Sequence, residues 1–142
     1  MSVSPKPRVN SLDLLIGILK FVAERHNEIS CTTPNLQNAI YNLSQKDEFA
    51  EYFNDYRFQQ RGYYHFSENL LADLRNLERL ECISAKNPRF VHYTLHLDIL
   101  NRFFEHTYSE KQHNGYFDLK TLEDMAGEIC AQLVCQNTSK HT

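Results

Sequence analysis

The segment from Phe66 to Leu80 constrains this chain most. Leu70, Leu71, Leu74, Leu77 and Leu80 recur at helical spacing and form one apolar stripe. Ser67 stands where an N-cap is wanted, Glu68 comes next at the helix's positive end, and Phe66 with Leu71 has the spacing of a hydrophobic staple. A helix over 67–81 is therefore predicted, with its leucine face against a core.

Beyond the stripe the chain becomes extended. Cys82-Ile83 begins a short strand, Lys86-Asn87-Pro88-Arg89 makes a polar turn, and a second strand alternates Phe90, His92, Thr94 and His96 with Val91, Tyr93, Leu95 and Leu97. Pro88 cannot donate to a ladder, which places it in the bend. Upstream, Leu12, Leu15, Ile16, Leu19, Val22 and Ala23 give a helix over 11–27 with Ser11 as its cap. Asn27 to Thr32 reads as a polar connection. Thr33-Pro34 then opens a second helix through Leu36, Ala39, Ile40 and Leu43. Asp47 to Phe53 suggests a short third helix, and Tyr56 to Phe66 an irregular or partly extended loop pinned by its aromatics. Two more helices finish the chain, one capped by Asp98 with Ile99, Leu100, Phe103 and Phe104, the other capped by Asp118 with Phe117 and Leu122 as its staple.

The expected fold class is mainly α with a small β-hairpin. The stretch Ser67 to Leu97, a helix leading straight into a hairpin with a basic tip, resembles the second half of a winged helix-turn-helix, and the helices at 11–27 and 33–45 would be its supporting pair. The resemblance covers a fold pattern over residues 11–97. It implies a DNA-binding transcription regulator or, in some proteins of this shape, an antitoxin-like or adaptor module that uses the same surface on a protein. The implied organisation is a flexible N-terminus over 1–10, a winged-helix-like core over 11–97, C-terminal helices over 98–136 packed on that core or at a dimer interface, and a loose tail over 137–142. The sequence differs from the pattern in two ways. A helix-turn-helix joins its second and third helices by a few residues, whereas Ser44 to Phe66 intervenes here. The helix at 67–81 also sets Arg75 and Arg79 against Glu68, Asp73, Glu78 and Glu81.

Charge bears on the partner. Residues 1–97 carry eleven Lys/Arg and eleven Asp/Glu, while residues 98–142 carry four and seven, so the net −3 of the chain sits in its last third. A neutral body with an acidic end leaves both DNA and a protein open as partner. The residues expected to contact nucleic acid are Arg75 and Asn76, whose side chains can pair with base edges, Lys86 and Arg89 of the wing, and Arg57 and Arg61. The last two are interleaved with Tyr56, Phe58, Tyr63, Tyr64 and Phe66 around Gly62, a pattern suited to stacking on unpaired bases. The other account of that segment is that its rings fill space between helices while its arginines lie on the surface.

Leu119, Leu122, Ala126, Ile129 and Leu133 are spaced as an a/d seam over two heptads. They can form a homodimer interface or lie along the chain's own core.

Catalytic chemistry finds no foothold. There is no phosphate loop, no GxSxG and no HExxH. His92 and His96 share a strand face, and Cys130 and Cys135 lie elsewhere, but neither spacing is that of a zinc site. Arg102 and His106 read as one turn of a polar helix face. No enzyme, metal or cofactor is expected. No run reaches the roughly 18–20 apolar residues of a membrane helix, the first ten residues lack the apolar core of a secretory leader, and Cys31, Cys82, Cys130 and Cys135 show no paired framework. These features predict a cytoplasmic protein with reduced thiols and no membrane partner.

Overall fold

A computed structural model describes residues 10–26, 28–30, 33–62, 64–85, 92–111 and 119–134. The first helix, α1 (Ser11–Arg25), buries Leu14 to Leu19 and Phe21 to Ala23, a run that leaves it little outward face. A helix apolar on nearly all sides must be enclosed, and the later elements enclose it. Asn10 rather than Ser11 caps α1, its side-chain oxygen accepting from the Leu12 and Asp13 amides at 2.8 and 3.3 Å. Asparagine is as good a cap as serine.

The segment read as a polar connection contains a strand, β1 (Glu28–Ser30). Then come α2 (Thr33–Ser44) and a 3₁₀ turn at Ala50–Phe53. The aromatic-basic segment read as an irregular or partly extended loop is more regular than that. It holds two short antiparallel strands, β2 (Gln59–Arg61) and β3 (Tyr64–Phe66), with Arg61 opposite Tyr64. Gly62, at φ +61°, takes the left-handed conformation needed between them.

The predicted stripe helix is α3 (Glu68–Arg79), with the Ser67 hydroxyl accepting from the Leu70 amide. Two strands come after it, β4 (Ile83–Ala85) and β5 (His92–Leu95). The three-stranded antiparallel sheet runs β1-β5-β4, with Ile29 opposite Tyr93 and Ser84 opposite Thr94. Last are α4 (Leu97–Lys111), α5 (Leu119–Ile129) and a π turn at Cys130–Val134. The fold is mainly helical with small antiparallel sheets. α4 starts one residue before the expected cap. The His96 carbonyl accepts from the Leu100 amide at 2.9 Å, and Asp98 sits in the first turn. No helix among the described residues is long and apolar enough to cross a membrane.

α4 and α5 pack on α1, which also touches α3 and β5. Phe21 meets Phe104 edge-on at 5.8 Å. At Gly17 a Cβ would lie 3.1 Å from a Leu122 methyl, so this glycine lets α5 come close to α1. The seam of α5 is thereby assigned. Leu122, Ala126 and Ile129 are at most 1% exposed and Leu133 is 5% exposed, all within the protein's own core. The homodimer interface expected at Leu119, Leu122, Ala126, Ile129 and Leu133 is corrected accordingly, since only Leu119 of the five is exposed. Two heptads make too short a seam for a free coiled coil, and α1 offers the apolar surface that it needs.

Leu74 is 1% exposed at the centre of the α3 stripe. Leu74→Ala is expected to lower the unfolding free energy by about 2–5 kcal/mol in urea denaturation. Ile129→Glu, which forces an unpaired carboxylate into the core, should give an unfolded chain by circular dichroism rather than a folded monomer.

Candidate nucleic-acid interface

α3 is held at its start by a buried polar clamp. Gln37 of α2 donates through Nε2 to the Ser67 carbonyl at 3.1 Å and accepts the Ser67 amide at 2.8 Å, and both residues are fully buried. Buried polar groups must be paired, so this two-way bond fixes where α2 and α3 meet. At its far end α3 closes in a Schellman turn. The Cys82 amide reaches the Leu77 carbonyl at 2.9 Å and the Glu81 amide reaches that of Glu78 at 3.0 Å. Glu81 occupies the left-handed position, at φ +67°, and so lies beyond the helix.

A third tie sets the rotation of α3. Asp73 accepts from the Ser11 hydroxyl at 2.7 Å and from the Tyr56 phenol at 2.8 Å, through the same carboxylate oxygen. Burial first, and the adjoining Asp73 charge second, push the Tyr56 phenol well above its ordinary value. With Leu70, Leu74 and Leu77 inward and Asp73 tied to the body, the opposite ridge of α3 runs Glu68, Ala72, Arg75, Arg79, all exposed. Asn69 and Asn76 flank it. Asn69 donates to the Asp55 carbonyl at 2.8 Å, and Asn76 accepts from Arg79 at 3.1 Å. Glu78 lies on the other flank. The acidic character read along the sequence is thus divided. Asp73 is turned inward, Glu81 is off the helix, and the ridge itself carries two arginines and a single acid at its N-terminal end.

Of the six residues expected to meet nucleic acid, Arg75 and Asn76 share this ridge and its flank. Ala72 and Arg79 lie on the same ridge and Asn69 on its flank, positions that the sequence reading did not single out. Counting three and four positions from Arg75, away from the leucine stripe, would have found Ala72 and Arg79, and one further turn back gives Glu68. Lys86 and Arg89 lie outside the described residues. Arg57 is exposed just before β2. Arg61 is exposed at the end of β2, its guanidinium carbon 3.9 Å from the centre of the Phe66 ring.

Several of the described rings around those arginines are turned to the protein. Tyr56 and Phe66 are buried. His65 stacks parallel on Tyr41 at 3.7 Å, its amide donating to Asn38 at 3.2 Å. Phe58 meets Tyr41 edge-on at 5.3 Å. These contacts favour the space-filling account of the segment over an open platform for unpaired bases.

Among the described residues no three His, Cys, Asp or Glu are placed to hold a metal ion. Ser84 and His96 are hydrogen-bonded at 2.7 Å, joining β4 to the start of α4. Burial pushes the Cys82 thiol up to about 11 and raises Cys130 as well, the latter against the opposing pull of Arg25. Such thiols stay protonated and unreactive near neutrality. Comparison with protein-family models, with curated proteins and with solved structures finds no match to this chain.

Tyr56 gives a pH-dependent test. Its folded value is raised, so its contribution to stability is complete below the unfolded value of 10.0 and is lost as pH rises through the folded one. Tyr56→Phe is expected to cost about 1–3 kcal/mol at neutral pH, the worth of a hydrogen bond to a charged group. In urea denaturation above pH 10.0, the stability of the wild type should fall more steeply than that of the variant.

Proposed function

We propose that this protein is a winged-helix DNA-binding regulator, with α3 as the helix that enters the major groove. The observation that carries the reading is the outward ridge of α3. Its exposed arginines and Ala72, with Asn76 on the flank, are of the kinds that read base edges. Arginine pairs with guanine O6 and N7, asparagine with adenine N6 and N7, and alanine can lie against a thymine methyl. Ala72 also leaves room for close approach of the helix. The element order supports the same reading, since α3 runs directly into the β4–β5 hairpin and β1 pairs with β5 to brace it from the other side.

A second reading, a protein-binding adaptor or antitoxin-like module, draws on a different surface. Glu48, Glu123, Asp124 and Glu128 line a cleft of about 420 Å³ together with Arg25. Its negative charge would repel phosphates and would suit a basic segment of a protein.

Selection from random-sequence duplex DNA, followed by titration of the recovered site, separates the two. On the DNA reading the wild type binds, and affinity falls steeply with salt because neutralised phosphates release counterions. Arg75→Ala or Arg79→Ala should each weaken binding by about 1–3 kcal/mol and relax the preference at one position. Glu78→Gln should strengthen it. Unchanged affinity in both arginine variants would overturn the assignment of α3 as reader. No recovered DNA, with a protein captured that needs Glu123 and Glu128, would establish the adaptor instead.

A further inference from the structure

The insertion between α2 and α3 contains the β2–β3 hairpin, whose second strand packs on α2 and runs directly into Ser67 at the start of α3. From Tyr56 to Ser67 there is no acidic residue, although the chain has 18 in 142, and Arg57 and Arg61 give the segment a net positive charge. All three residues of β2, Gln59, Gln60 and Arg61, are exposed. Nothing lies within 4 Å of where a Cβ at Gly62 would be, so the tip stands in open space.

The base of the hairpin, by contrast, is tied down on both sides. On entry, the Asp55 carbonyl is held by Asn69 in the first turn of α3. On exit, Phe66 leads into Ser67, which Gln37 clamps through two hydrogen bonds. The stack of His65 on Tyr41 fastens β3 to α2. The base of the hairpin is therefore fixed to α2 and to the start of α3.

Arg61 is anchored against the hairpin by an aromatic contact. Its guanidinium carbon lies 3.9 Å from the centre of the Phe66 ring, a cation–π contact that limits the motion of the group. A planar fork held in this way loses little freedom on meeting a phosphate. Glutamine amides are phosphate donors too. A recognition helix points its N-terminal residues at base edges, so a basic hairpin whose base is fixed to that end stands where the flanking backbone passes.

We infer that the β2–β3 hairpin is a second DNA grip, in which Arg61 and Arg57 bind the phosphodiester backbone of the duplex flanking the N-terminal end of α3. The inference rests on the DNA-binding reading of α3. It makes α3 a helix bracketed by two hairpins, β2–β3 at its start and β4–β5 at its end, with β2–β3 supplying affinity that does not depend on base sequence.

The test uses the full chain and a fluorescent random-sequence duplex of about 30 base pairs, titrated between about 50 and 200 mM salt. Arg57→Ala and Arg61→Ala should each reduce the slope of log affinity against log salt by about 0.9, with the loss equal across sequences. Arg61→Lys, which keeps the charge, should keep the slope. Gln59→Lys with Gln60→Lys should steepen it, and this pair serves the test if the alanine variants fail to fold by circular dichroism. If folded Arg57→Ala/Arg61→Ala matches the wild type in affinity and slope while Arg75→Ala binds more weakly, the hairpin is not on DNA and the reading of α3 stands. An unchanged slope in the double lysine variant likewise overturns the hairpin grip. No binding by the wild type overturns both.

Discussion

Enclosure of α1 is the constraint on which the rest of the structure depends. Leucine, isoleucine, phenylalanine, valine and alanine side chains line this helix on nearly every side, and each buried aliphatic side chain contributes roughly 1.5–3 kcal/mol only if something covers it. α3, α4, α5 and β5 supply the cover. Even Lys20 conforms to this enclosure. Its stem is largely covered, and its ammonium lies over the Phe21 and Phe104 rings while pairing with Glu24 at 2.8 Å. Gly17 lacks a Cβ that would press on Leu122 of α5.

That enclosure decides what α3 can offer. Leu70, Leu74 and Leu77 are committed to the core, which turns Ala72, Arg75 and Arg79 outward. The polar ties then sharpen the orientation. A carboxylate at Asp73 facing solvent would have opposed any approach to phosphate. Bound to Ser11 and Tyr56, it instead joins α1, the segment before β2 and α3 at one point. Gln37 does the same for α2 and the cap of α3. In a low-dielectric setting such bonds are strong when complete and costly when broken, so they hold one rotation of α3 against its neighbours. The outward surface of α3 is therefore a consequence of packing on the opposite side of the same helix.

Much of the helical part was legible in the residues themselves. Ser67 with Glu68 and the leucine stripe announced α3, Thr33-Pro34 announced α2, and the apolar positions of 12–23 announced α1, because capping and helical periodicity are local properties. The strand β1 was not legible. Glu28 to Ser30 is short and becomes a strand only by pairing with Thr94, Tyr93 and His92, far along the chain. The β2–β3 hairpin was hidden for a related reason. Its aromatic and polar residues alternate too briefly to show a period, and its shape depends on Tyr41 and Asn38 of α2.

By itself, then, the sequence determined which segments are helical, where α3 begins, and that a hairpin succeeds it, since each of these depends on neighbours within a turn or two. The tertiary structure alone decided the rest. An a/d seam is equally suited to a second subunit or to α1, and only the approach of α5 over Gly17 assigns it to the core. A count of charges along α3 cannot tell an acid facing phosphate from one bonded inward, and only the meeting of Asp73 with Ser11 and Tyr56 distinguishes them. Both depend on distances between residues remote in sequence, which local periodicity does not encode.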